Sequence, residues 1–320
     1  MRGNGELRLT IAIRAYDHVR DLLSGAVRAD GIELSHLELP VEEVFTRFLR
    51  EQPWEVSEMS MGAYAALVAR GPCPMVAIPA FPSRMFRHSA IYVRADSALR
   101  DARRLAGCRI GVVDWAQTAA IYARGALADQ FGVRVEQVDW FLGGLGRPAQ
   151  GGDMVGAAPP PGVRLTRVEG RSLEDLLEAG ELDAVIASRA PGGPVRRLFD
   201  DPRSVEEAYW RRHRVFPIMH TVVIRRDVHD AHPWVAGALY GALDTARRRS
   251  LDRLSDAAAP YFPLPWARDA AAGCRELFGG EPWTYGIDAN RTTLEAFCRY
   301  AFDQGVCARA LAPEELFPAA

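Results

Sequence analysis

The sequence contains no lysine; its 39 basic residues are all arginine. A phosphate-loop lysine, a lysine Schiff base to pyridoxal phosphate and a lysine general base are therefore excluded. Cysteine is scarce as well. Cys73, Cys108, Cys274, Cys298 and Cys307 are odd in number, scattered and never in a C-x-x-C pair. That argues against a disulfide framework or a zinc–thiolate site, and for small buried hydrophobes. Positive charge is not in excess: the formal net charge is −2 over 320 residues. A nucleic-acid binder needs a strong basic bias to neutralise phosphates, so no nucleic-acid partner is expected. No apolar run approaches the ~18 residues of a membrane span, and no membrane partner is expected. The opening MRGNGELRLTIAI has neither a secretory apolar core nor a small-residue cleavage site, which points to a cytoplasmic protein. GGLGRP (143–148) lacks dinucleotide-binding spacing and runs into further Gly and Pro to 162, so it reads as a loop.

What is present is an ordinary globular composition, 48% hydrophobic and 25% charged. At ~100–200 residues per domain, the length suggests two domains. Leu7, Leu9, Ile11 and Ile13 alternate as in a strand. Pro40 then opens a helix with apolar Val41, Val44, Phe45, Phe48 and Leu49 on one face. Short strands are expected at 54–59, 74–79, 89–94, 109–113, 163–168 and 183–187. Helices are expected at 117–131, stopped by Gly132, and from the capping box at Ser172 to Gly180. Longer ones follow from Pro233 to Asp252 and from Leu294 to Gly305. Repeated βα units imply α/β architecture with mostly parallel sheets. HSAIYVRAD (88–96) and HTVVIRRD (220–227) share a pattern, and an economical reading makes them neighbouring strands joining two lobes. Lobe I is then 1–93 plus 218–320, with lobe II, 94–217, inserted into it.

AYDHVRDLLSG (15–25), LPVEEVFTRF (39–48), SEMSMGAY (57–64), AIPAFPSRMFRHSAIYVR (77–94), WAQTAAIYARG (115–125), GELDAVIASR (180–189), FPIMHTVVIRRDV (216–228) and EELF (314–317) resemble, in order and over nearly the whole chain, the 4,5-dihydroxyphthalate decarboxylase family. The resemblance implies a two-lobe fold like that of type II periplasmic binding proteins, with a central ligand cleft. It also implies a carboxy-lyase of aromatic-compound degradation that turns 4,5-dihydroxyphthalate into protocatechuate and CO2. The same fold hosts binders and other enzymes, so two alternatives stay open. One is a solute-binding protein for an aromatic acid. The other is a lyase acting on a different hydroxylated cyclic acid. A hydroxylated aromatic dicarboxylate needs cationic clamps, a general base and a general acid, but no organic cofactor, because a hydroxyl para to the carboxylate supplies the electron push. The implied partner is a small aromatic acid; a homo-oligomer is compatible with the sequence.

Candidate residues gather where strands end. In SRMFRHS (83–89), Arg84 and Arg87 are candidate carboxylate clamps and His88 an acid or base; the alternative is an arginine bracing the lobe connection. His220 opens the return strand and would face the same cleft as His88 if the two strands are neighbours. Asp17, His18 and Arg20 follow the first strand; an Asx turn at Asp17 is the alternative. Glu58, beside Met59 and Met61, is a candidate general acid with a raised pKa, or else a helix cap, and Ser60 lies beside it. Trp115 offers a stacking face, and Gln117 with Thr118 a helix N-terminus for a carboxylate. Ser188 and Arg189 end another second-lobe strand. His18, His88 and His220 with Asp17 or Glu58 are compatible with a divalent metal, though no local spacing requires one. HDAH (229–232) runs into Pro233 and reads as a helix start.

Overall fold

The computed structural model describes residues 6–149 and 154–318, so residues 150–153 of the Gly/Pro loop lie outside them. The alternating apolar residues build β1 (Leu7–Ala12), which pairs in parallel with β2 (Ile32–Leu37) and β3 (Val56–Ser60). β4 (Met75–Arg84) and a late strand, β11 (Ile218–Arg225), complete a five-stranded sheet in the order β2-β1-β3-β11-β4. The second sheet comprises β5 (Ile91–Arg94), β6 (Arg109–Val112), β7 (Asp139–Leu142), β8 (Arg164–Arg167), β9 (Ala184–Ile186) and β10 (Val195–Arg197). Its order is β10-β5-β9-β6-β7-β8. The architecture is α/β with two lobes, each built on one sheet.

In each sheet one strand runs against the rest. β11 opposes β3 and β4; β5 opposes β9 and β10. These are the two segments whose similar sequences suggested a neighbouring pair. That expectation is corrected: they lie in different sheets. Each is the first strand the chain forms after crossing from the other sheet. β5 arrives without the intervening crossover helix that parallel pairing needs, whereas β11 follows helix Pro202–His213.

β4 extends past the expected 79 to Arg84, through Pro79 and Pro82. Proline has no N–H to give the ladder, and the pairing breaks there. Val222 faces Ile78 while His220 already faces Ser83, and Ile218 faces Arg84. His220 therefore sits between two register shifts, an irregularity that re-aims a side chain. The carbonyls so released find other donors: Gly286 N–H reaches the Pro79 oxygen at 2.9 Å and the Trp283 indole the Phe81 oxygen at 3.1 Å.

The helix expected after Pro40 spans Val41–Glu51. Glu42 and Glu43 sit at its positive end, and Val44, Phe45 and Phe48 are buried beneath it. It stops at Gln52, a non-glycine residue at φ 47°. Helices Pro202–His213 and Ala267–Phe278 were not expected from the sequence, and helix Met61–Arg70 begins where the cap alternative for Glu58 places a helix N-terminus. One apolar cluster runs from the first sheet to the second. The lobes are stitched where helix Met61–Arg70 meets the start of helix Thr118–Phe131. Gly62 N–H and the Ser60 hydroxyl both contact the Thr118 hydroxyl oxygen at 2.9 Å. Among the described residues no helix is long and apolar enough to cross a membrane.

Candidate functional site

Strands β1, β3 and β4 run in parallel and end on the same edge of the first sheet. β11, running the other way, begins on it. This is the edge where open α/β sheets place ligands. Residues just past β1, at the end of β3, at the end of β4 and at the start of β11 converge there. Glu58 faces Val222 across the β3–β11 ladder, so His220, two residues earlier, lies diagonally across the same face.

The Glu58 side chain is completely buried. Its Oε1 lies 2.6 Å from His220 Nδ1 and accepts from the Tyr16 hydroxyl at 2.7 Å; its Oε2 accepts from the Arg14 backbone N–H at 3.0 Å. Burial alone would raise the carboxyl's pKa, but the hydrogen bonds and charge of His220, with the Arg14 N–H and Tyr16, more than offset it. Glu58 is held below the usual carboxylate range. The expectation of a raised-pKa general acid is thus corrected, and the cap of helix Met61–Arg70 is Ser60 rather than Glu58. An ionised Glu58 can only accept, so His220 Nδ1–H donates to it, which leaves Nε2 facing away as the nitrogen free to exchange a proton. Phe45 meets the His220 ring edge-on at 4.9 Å, and 17% of the His220 side chain is open to solvent. Tyr16 is kept protonated by burial first and by the neighbouring Glu58 charge second, with a hydrogen bond from Ser83 opposing them.

His18 is the second imidazole here. Its ring stacks on Tyr16 at 5.4 Å and tilts against Trp283 at 5.1 Å. Burial lowers its pKa to about 4, so it is neutral at neutral pH, and its Nε2 is buried without a hydrogen bond. Tyr16, Ser83, Phe45 and Trp283 were missed as site residues. Tyr16 stands beside Asp17 and His18, and Ser83 opens SRMFRHS, so proximity was the available signal. Phe45 and Trp283 carried none.

The other candidates lie elsewhere. Asp17 accepts from the Ser250 hydroxyl at 2.6 Å and pairs with Arg20 at 3.0 Å, tying the turn after β1 to helix Trp234–Ser255. Arg84 is buried and donates to Asn290 Oδ1 and to the Thr284 and Phe216 carbonyls. Its two terminal nitrogens bond the protein, which is the arrangement of the bracing alternative. Arg87, also buried, donates through Nε to Met219 Sδ at 3.0 Å. His88 bonds Gln130 at 2.9 Å between Tyr209 and Phe199, so the structure does not bring it to His220. Trp115 has no open face: it is fully buried, donates to the Gln304 carbonyl and carries Arg124 3.9 Å over its ring. The Ser60 and Thr118 hydroxyls bond each other, and Gln117 precedes its helix without capping it. Ser188 and Arg189 are exposed in the loop after β9. No group of three or more His, Cys, Asp or Glu among the described residues is arranged to hold a metal ion.

Burial lowers the His88 pKa to about 4, as it does for His18. Unfolding restores the ordinary value near 6.5, so below that pH the unfolded chain binds protons the native state refuses. Stability from this source is complete above pH 6.5 and is lost as pH falls toward 4. At pH 5 the loss amounts to about 2 kcal/mol per histidine. Urea denaturation at pH 7.5 and pH 5 will show that loss, and His88→Gln will shrink it by about half. An unchanged difference would mean that His88 is protonated in the native state.

No family model matches the chain. Over 319 residues, 98% of its length, it is 37% identical to a curated 4,5-dihydroxyphthalate decarboxylase of Comamonas testosteroni, covering 96% of that protein. A second 4,5-dihydroxyphthalate decarboxylase, from Pseudomonas putida, is 34% identical over 212 residues, 64% of this chain and 82% of that one. Among solved structures, the periplasmic aliphatic sulphonate binding protein SsuA of Escherichia coli superposes with a TM-score of 0.54 at 11% identity, covering 98% of each chain. The MOPS-bound alkanesulfonate-binding protein SsuA of Xanthomonas axonopodis pv. citri gives 0.51 at 13% identity, covering 98% of this chain and 97% of that one. These two likenesses establish the two-lobe type II periplasmic-binding-protein-like fold and nothing about the ligand.

Proposed function

The chain belongs to the 4,5-dihydroxyphthalate decarboxylase family, and we propose from that membership and the Glu58–His220 pair that it decarboxylates 4,5-dihydroxyphthalate to protocatechuate with His220 as its proton carrier. It is a carboxy-lyase acting on a small aromatic acid, and we place it in the cytoplasm. The observation that carries the mechanism is the buried Glu58 carboxylate 2.6 Å from His220 Nδ1.

Each ring hydroxyl of the substrate lies para to one carboxylate. As that hydroxyl gives up its proton to solvent, electron density moves to the ring carbon bearing the carboxylate. That carbon takes a proton from His220 Nε2, the imidazolium having been stabilised by Glu58. The bond to CO2 then breaks, its electron pair restores the aromatic ring, and the hydroxyl recovers its proton. The net reaction consumes one proton and releases one CO2; partly exposed His220 is reprotonated from solvent. The ring itself accepts and returns the electrons, so the proposal includes no organic cofactor and no required metal.

The test is to incubate chelator-treated protein with 4,5-dihydroxyphthalate in D2O. Protocatechuate is expected without added metal, with one deuterium at the carbon vacated by CO2. Product formed only once a divalent ion is restored would place a metal in the step. Tight binding without product under both conditions would overturn the enzymatic reading in favour of a binder.

A further inference from the structure

A substrate with two carboxylates needs a cation, and the expected clamps, Arg84 and Arg87, spend donors on the protein. The other arginines near the cluster are paired too. Arg20 sits on Asp17 at 3.0 Å, Arg247 on Asp244 at 2.6 Å and Arg253 on Asp21 at 2.9 Å. Arg14 differs. It stands two residues beyond β1, and its backbone N–H donates to Glu58 Oε2 at 3.0 Å. Its side chain is exposed, its charge reaches the Tyr16 hydroxyl, and no hydrogen bond or ion pair engages its guanidinium among the described residues.

Resting on the proposed reaction, we infer that Arg14 is the substrate clamp: its guanidinium holds the carboxylate that the ring keeps. An arginine fork matches a carboxylate with two parallel hydrogen bonds. The retained group is the one it can hold usefully. CO2 leaves uncharged, so a cation on the departing carboxylate would stabilise the ground state more than the transition state and slow the step. A cation on the retained carboxylate binds ground and transition states alike and orients the ring toward His220.

The test compares wild type with Arg14→Gln and Arg14→Lys, in steady-state turnover and in calorimetric titration with phthalate, protocatechuate and catechol. A charged hydrogen bond's worth predicts a KM raised about 10- to 100-fold in Arg14→Gln with kcat within about threefold, and partial recovery in Arg14→Lys. Phthalate and protocatechuate should weaken by a similar factor, while catechol, which has no carboxylate, should bind unchanged. Unaltered KM and unaltered phthalate binding would overturn the assignment. So would a fall in kcat at constant KM, which would put Arg14 on the reacting centre. If wild type fails to turn over, the reaction reading fails, while the titrations still decide whether Arg14 grips a carboxylate.

Discussion

Replacing His220 with alanine will lower kcat by about a thousandfold and leave KM within a few-fold of wild type. The imidazole is the group at the cluster that is both braced by a buried charge and open to solvent. Its removal deletes proton transfer while the proposed Arg14 clamp still meets substrate. Glu58→Gln is the companion variant. It keeps the shape of the side chain but removes the charge that stabilises the imidazolium, and it offers an amide N–H where Tyr16, His220 and the Arg14 backbone all need an acceptor. A turnover loss of about a hundredfold is expected, together with a destabilisation of about 3 kcal/mol for breaking a buried pair. Steady-state kinetics and urea denaturation separate the two effects. A His220→Ala protein with wild-type kcat would remove it from the mechanism. A Glu58→Gln protein that is less stable but fully active would reduce Glu58 to a structural brace.

The second large effect is expected from one methyl group. A Cβ on Gly62 would lie 2.1 Å from the Ala116 carbonyl oxygen and 2.8 Å from Ile121 Cδ1. A backbone oxygen cannot swing aside as a side-chain tip can. Gly62→Ala must therefore push helix Met61–Arg70 away from the segment before helix Thr118–Phe131, breaking the Gly62 N–H to Thr118 bond and straining the Ser60–Thr118 contact. Overpacking of this kind costs about 1–3 kcal/mol, and the upper end is expected here. Because Ser60 ends the strand that carries Glu58, turnover should fall as well. Gly237→Ala is the control: it lies in helix Trp234–Ser255, and an added Cβ meets nothing within 4 Å. There, alanine should be neutral or stabilising by up to ~1 kcal/mol. Equal urea midpoints for the two variants would refute the steric argument.

Much of the fold and part of the site were readable without coordinates. Alternating residues marked β1, the proline start and apolar stripe marked helix Val41–Glu51, and Gly132 marked the end of the helix before it. Ile32 and Leu34 in β2 carried an alternation that was there to be read, whereas three-residue β10 carried no pattern at all. Glu58 and His220 were legible as polar residues at strand ends. Their pairing was not, because it depends on β11 inserting beside β3 from 162 positions away. The arginines of SRMFRHS show the same limit. A buried guanidinium looks for acceptors wherever the fold supplies them, and Arg84 finds them at Thr284, Asn290 and Phe216, far off in sequence. Local charge density announced a need for partners but not whether protein or ligand would meet it.

β11 is an interior strand of the first sheet, between β3 and β4, yet it is the last strand in the chain among the described residues. On the ribosome, which adds ~5–20 residues per second, β3 and β4 emerge well before the strand that joins them. During that interval the two face an open slot with unpaired ladder groups, the kind of edge that recruits stray strands. The second sheet, whose strands are all made by Arg197, can close in the meantime. His220 travels on the strand that fills the slot, so synthesis delivers the proposed proton carrier and the sheet's missing interior strand in one event, and a nascent chain cannot bring Glu58 and His220 together before that strand is made.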